Sequence, residues 1–180
     1  MRLSAMTGLP RRWLVTLALL AILALSACGS TSLPSGVYAN QKYNFSVTYP
    51  AGWQVNSSPQ PSATAPLILI ITRTGSTALP GSQLSSLTIN ILDMSNPGIA
   101  QNANSMKSNK NLIKTTVGGQ PGYRDTPVSQ PGGASGSSLT VIHSDYYVVH
   151  GAYFYTISTD ALPGDSATLD QMAQSFRFLN

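Results

Sequence analysis

An apolar run of 13 residues, Trp13–Leu25, stands between the Arg11-Arg12 pair and the chain's only cysteine, Cys28. A comfortable membrane span takes about 20 residues, so this run is too short to be one. With Arg2, Arg11 and Arg12 ahead of it and small residues behind it, it has the three parts of a secretory signal. Residues 1–27 are therefore read as a signal-peptide helix that is removed. What folds is the remainder, and one cysteine gives it no internal disulfide. A domain of about 150 residues buries roughly 70% of its unfolded surface, enough to hold a core without a metal or cross-link.

Leu25-Ser26-Ala27-Cys28 resembles a bacterial lipobox, with small side chains just before a nucleophilic sulfur. The resemblance implies diacylglyceryl transfer to Cys28 and cleavage before it. The mature protein is then expected at the cell membrane, lipid-anchored on the extracytoplasmic face, with the diacylglyceryl group on Cys28 as its contact with the membrane. Gly29–Gly36 is rich in Gly, Ser and Thr and reads as a flexible tether. The expected organisation is a signal peptide over 1–27, lipidated Cys28 and tether over 28–37, and one domain over 38–180.

The formal charge of +4 belongs largely to the leader. Past Cys28, seven Lys and Arg face six Asp and no Glu. That near-neutral balance removes the basic surface a nucleic-acid partner requires. Lys107, Lys110 and Lys114 cluster, and such a group is usually a solvated face. The chain is 42% hydrophobic and 9% charged, which is too apolar for disorder.

Alternation of aromatic and β-branched residues predicts a strand over Tyr43–Tyr49, and Pro50-Ala51-Gly52 turns it into a second one at Trp53–Asn56. Pro66–Thr74 reads as a continuous apolar strand buried on both faces. Further strands are expected at Ser86–Met94, Leu112–Val117 and Gln120–Val128, with a hairpin of Ser138–Val149 and Ala152–Thr159 around His150-Gly151. A helix should start at Asn96-Pro97, and another should run over Asp165–Ser175, capped by Asp165. Gln130–Ser138 reads as a loop. The expectation is an α+β domain, an antiparallel β-sheet with helices packed on it.

Three stretches resemble the PsbP-like superfamily, which includes PsbP, the Mog proteins and many bacterial lipoproteins. They are Tyr43-Asn44-Phe45-Ser46-Val47-Thr48-Tyr49-Pro50-Ala51-Gly52-Trp53, Val117-Gly118-Gly119-Gln120-Pro121-Gly122-Tyr123, and the Tyr-rich hairpin with the helix ending Ser175-Phe176-Arg177-Phe178. The resemblance implies an α/β/α sandwich without catalytic apparatus, in a family of assembly factors, binding modules and proteins of unknown role. Within the opening motif, Phe45 and Trp53 are expected to fill the core.

Chemistry-bearing residues are few. His143 and Asp145 are two apart on one strand and so share a face. His150 is seven residues on, roughly 23 Å at strand rise. With two His, one Cys and Asp residues scattered along the chain, no metal site and no cofactor are expected. There is no nucleophile elbow and no phosphate loop. Tyr146, Tyr147, Tyr153, Phe154 and Tyr155 crowd one hairpin and could line a ligand groove, the four tyrosines being the candidates to do so. The favoured function is a non-catalytic binding or assembly module, its partner an envelope protein or a small apolar or glycan ligand. The alternative is a cell-envelope hydrolase or metal-dependent enzyme.

Overall fold

Among the described residues, eleven strands and two helices follow the order β1 (Gly36–Asn40), β2 (Phe45–Tyr49), β3 (Trp53–Ser58), β4 (Leu67–Arg73), β5 (Ser86–Asp93), α1 (Pro97–Met106), β6 (Ile113–Val117), β7 (Gln120–Arg124), β8 (Val128–Gly132), β9 (Leu139–His150), β10 (Tyr153–Ala161), α2 (Ser166–Ser175) and β11 (Arg177–Phe178). The computed structural model describes residues 35–58, 65–74, 85–132 and 139–179. The signal peptide, Cys28 and most of the tether lie outside these residues. The described residues all belong to one unit, Leu33–Asn180. That unit supplies the whole described core, so a chain beginning after Cys28 carries what it needs to fold. Among the described residues, no helix is long and apolar enough to cross a membrane.

The main sheet is antiparallel, in the order β3-β4-β5-β10-β9-β7-β6, with β8 also paired to β9. Its register explains its two faces. Leu69 stands opposite Ile89, Ile89 opposite Ile157, and Ile157 opposite Tyr146, a row fully or almost fully buried on the inner face. One residue along, Ile68, Asn90, Thr156, Tyr147, Tyr123 and Lys114 form the matching row on the outer face. The period of two thus assigns every side chain a face. It also corrects the expectation for β4, in which Ile68 and Ile70 are only half-buried.

The inner face is covered by α2, through Leu169, Met172 and Ala173, and by the small sheet β1-β2-β11. Phe45 of β2 stacks on Phe176 at 5.4 Å and meets Tyr155 edge-on at 6.3 Å. Trp53 is buried at the start of β3, as the turn before it predicts. The Tyr155 hydroxyl donates to the Tyr43 carbonyl at 2.7 Å, so its polar tip is satisfied inside the core. The outer face carries α1, whose Ala103 is buried.

Local signals hold at some ends and fail at others. Asn96 caps α1, its Oδ1 accepting from the Gly98 and Ile99 amides, with Pro97 next. Gly151 has φ +59 in the two-residue turn between β9 and β10, the sign that a II′ hairpin asks of its first central residue. Asp165 stands at the start of α2 but makes no side-chain cap. Its carboxylate instead accepts from Arg73 at 2.9 Å and Ser85 at 2.7 Å. Gly36 and Val37, read as tether, belong to β1, and Gln130–Gly132, read as loop, to β8.

Candidate functional site

Between α1 and the outer face runs a cavity of about 350 Å³. Ala103 and Met106 of α1, Tyr123 of β7, Tyr147 and Val149 of β9, and Phe154 of β10 wall it with apolar surface. Register places these side chains together. Tyr147 faces Tyr123 across one strand pair, and Val149 faces Phe154 across another. Phe154 and Tyr147 stack at 6.3 Å. Strand β7 lies so near β9 that a Cβ on Gly122 would stand 2.6 Å from the Tyr147 carbonyl oxygen, so only glycine fits there. The volume falls at the small end of ligand sites, roughly 300–1,000 Å³.

A polar cluster adjoins the groove through Tyr147, whose hydroxyl donates to Asp145 Oδ2 at 3.1 Å. His143 sits between two carboxylates, Nδ1 at 2.8 Å from Asp160 Oδ1 and Nε2 at 3.1 Å from Asp145 Oδ2. His143 and Asp160 are cross-strand partners, which is why residues 17 apart in sequence meet. Asp125 arrives where β9 changes partner from β7 to β8. Its Oδ1 accepts from the Asp145 amide at 2.8 Å, and its own amide donates to the Asp145 carbonyl at 3.0 Å. Asp125 thereby satisfies backbone groups at the break in the ladder. Asp145 Oδ1 is buried and has no protein partner.

The electrostatics favour an imidazolium. Burial by itself would lower the His143 pKa, but hydrogen bonds donated to Asp160 and Asp145, with the charges of those carboxylates, outweigh it and raise the value above 6.5. Carboxylates on both nitrogens favour the protonated ring, whose two N–H groups can donate one to each. The protonated ring has no lone pair for a substrate proton or a metal. Burial first, and Asp145 second, hold the Tyr147 phenol far above its ordinary range, so it is a permanent donor at neutral pH. Donor atoms of Asp125, His143 and Asp145 lie within 4.8 Å of one another and are the residues that could hold an ion. An ion there would have to displace the His143–Asp145 hydrogen bond. The expectation of scattered carboxylates is corrected here, because strand pairing brings distant Asp residues to one imidazole.

A raised folded-state pKa stabilises the fold fully below 6.5, and that contribution fades as pH rises through the folded value. The melting-temperature gap between wild type and His143→Asn should therefore be widest near pH 5.5–6 and close towards pH 8.5. A gap independent of pH would show that His143 is held neutral.

The four candidate tyrosines divide between faces. Tyr147 alone lines the groove. Tyr146 and Tyr155 are buried on the inner face, and Tyr153 packs partly buried beside Tyr43 at 5.4 Å. His150, of opposite parity to His143, stacks on Phe178 at 4.0 Å. Phe154, one of the hairpin aromatics, also lines the groove, whereas sequence spacing gave no sign of Met106, Tyr123 and Val149 as groove residues. The Tyr123–Tyr147 pairing was the detectable signal, given the correct register.

No protein-family profile matches the chain, and no curated protein sequence matches it. Solved structures do. A protein from Bacteroides thetaiotaomicron VPI-5482 aligns over 82% of this chain with a TM-score of 0.52 and 8% identity. The chain spans half of that protein's length. The fold is the α+β one that the PsbP-like resemblance implies. Cyanobacterial PsbP from Synechocystis sp. PCC 6803 aligns over 86% of this chain and 99% of its own, at 13% identity and a TM-score of 0.49. LpqN of Mycobacterium tuberculosis, described as involved in cell envelope biogenesis, aligns over 85% and 88%, at 13% identity and a TM-score of 0.43. At such identities the likeness concerns fold alone.

Proposed function

We propose that this PsbP-like chain is a non-catalytic, lipid-anchored module of the bacterial cell envelope that binds an apolar ligand between α1 and the outer sheet face. The observation that carries the reading is the groove, walled by Met106, Tyr123, Val149 and Phe154. A preformed apolar concavity with few polar groups is the usual form of a small-ligand site. The hydrolase alternative finds no free nitrogen on His143 to act as its base, because both are engaged by carboxylates.

Val149 is 40% exposed on a strand, so a larger residue is accommodated there without disturbing the core. The Gly29–Asn180 chain should bind the neutral apolar dye N-phenyl-1-naphthylamine saturably. Val149→Trp should weaken that binding at least tenfold with an unchanged melting temperature. Absence of saturable binding, or equal binding by the variant, would remove the groove as the site.

A further inference from the structure

We propose that the ligand of this groove is an anionic amphiphile, its apolar tail lying on Met106, Tyr123, Val149 and Phe154 and its anionic head held by Lys107 and Lys114. The proposal rests on the groove reading above and adds the ligand's chemistry to it. Among the described residues, Lys107 and Lys114 are the only charged ones lining the cavity. They come from different elements: Lys107 directly follows α1, and Lys114 lies on β6 opposite Tyr123. Two cations thus converge on one apolar slot from the helix side and the sheet side. Lys107 Nζ donates to Asn104 Oδ1 at 3.2 Å, a neutral partner that leaves its charge uncompensated.

Charge on the outer face is unevenly placed. Asp125, Asp145 and Asp160 gather around His143 beyond Tyr147 along β9, and the Tyr147 hydroxyl donates to Asp145, whereas Lys114 lies two strands across from Tyr147, opposite Tyr123. Three carboxylates outnumber the one imidazole, so a negative head is disfavoured beside them and drawn to the lysines. A neutral amphiphile would gain nothing from the lysines, and a cationic one would be repelled by them.

Calorimetric titration of the Gly29–Asn180 chain with decanoate, decyl phosphate, decanol and decyltrimethylammonium, each below its micelle concentration, tests the assignment. Decanoate and decyl phosphate should both bind at least tenfold tighter than decanol, with a preference that shrinks as salt is raised. Whichever anion binds tighter tells a fatty-carboxylate source from a phosphate-ester one. In Lys107→Gln/Lys114→Gln, the decanoate-to-decanol ratio should fall to about one while near-ultraviolet circular dichroism stays native. Decanol binding as tightly as decanoate would overturn the proposal and leave the groove reading standing. Failure of all four to bind would overturn both. An undiminished anion preference in the double variant would show that other groups select the head, and would also overturn the assignment.

Discussion

Replacing Cys28 with alanine should abolish membrane retention, leaving unprocessed precursor or protein in the soluble fraction. Each buried methylene contributes about 0.8 kcal/mol, and two long acyl chains together amount to order 20 kcal/mol. Among the described residues, no helix is long and apolar enough to span a bilayer. Fractionation of wild type and variant, with mass spectrometry of the mature N-terminus, is the measurement. Mature protein bearing an unmodified Cys28 thiol would refute lipidation. The structure adds a geometric corollary. Because β1 begins at Gly36, only Gly29–Ser35 would separate a lipidated Cys28 from it, a stretch of at most about 25 Å when extended. Lipidation would therefore hold the domain close to the bilayer.

Phe45→Ala should cost about 3–5 kcal/mol, a large part of the 5–15 kcal/mol that holds a typical domain together. Phe45 is fully buried and sits among Tyr38, Tyr155 and Phe176, with ring centroids 5.8, 6.3 and 5.4 Å away. It joins the small sheet to α2 and to the main sheet, so the void left by its removal cannot be closed by moving one element. A urea titration should show a lower midpoint with an unchanged slope. A loss below about 1 kcal/mol would mean that the three layers re-pack independently.

The fold was legible where local pattern and burial agree. Phe45, Val47 and Trp53 alternate towards the core as the sequence indicates, and Asn96-Pro97 opens α1 with the cap it promises. Elements stabilised mainly from afar were not legible. β1 and β11 carry little pattern of their own and exist because β2 pairs with both. Asp165 has the residue type of a cap, yet its charge is taken by Arg73, at the end of β4. The site was half legible. His143 and Asp145 were placed on one face by their spacing, but Asp160 and Asp125 join them only through cross-strand register. The tyrosines were crowded in sequence, and the hairpin's parity then separated them.

The small sheet has a temporal meaning as well. Its middle strand, β2, is flanked by the first strand and the last, and Ser175 Oγ binds the Thr48 amide across 127 residues of chain. Pairings between such distant segments carry a large loop-closure penalty and slow the search for the native state. Phe45 cannot meet Phe176, nor β2 its second neighbour, until Phe176–Phe178 are at hand. In a chain delivered gradually, from a ribosome or through a translocation pore, these contacts therefore wait until β11 has emerged. The architecture works as a timer that postpones closure of this part of the core until β11 has arrived.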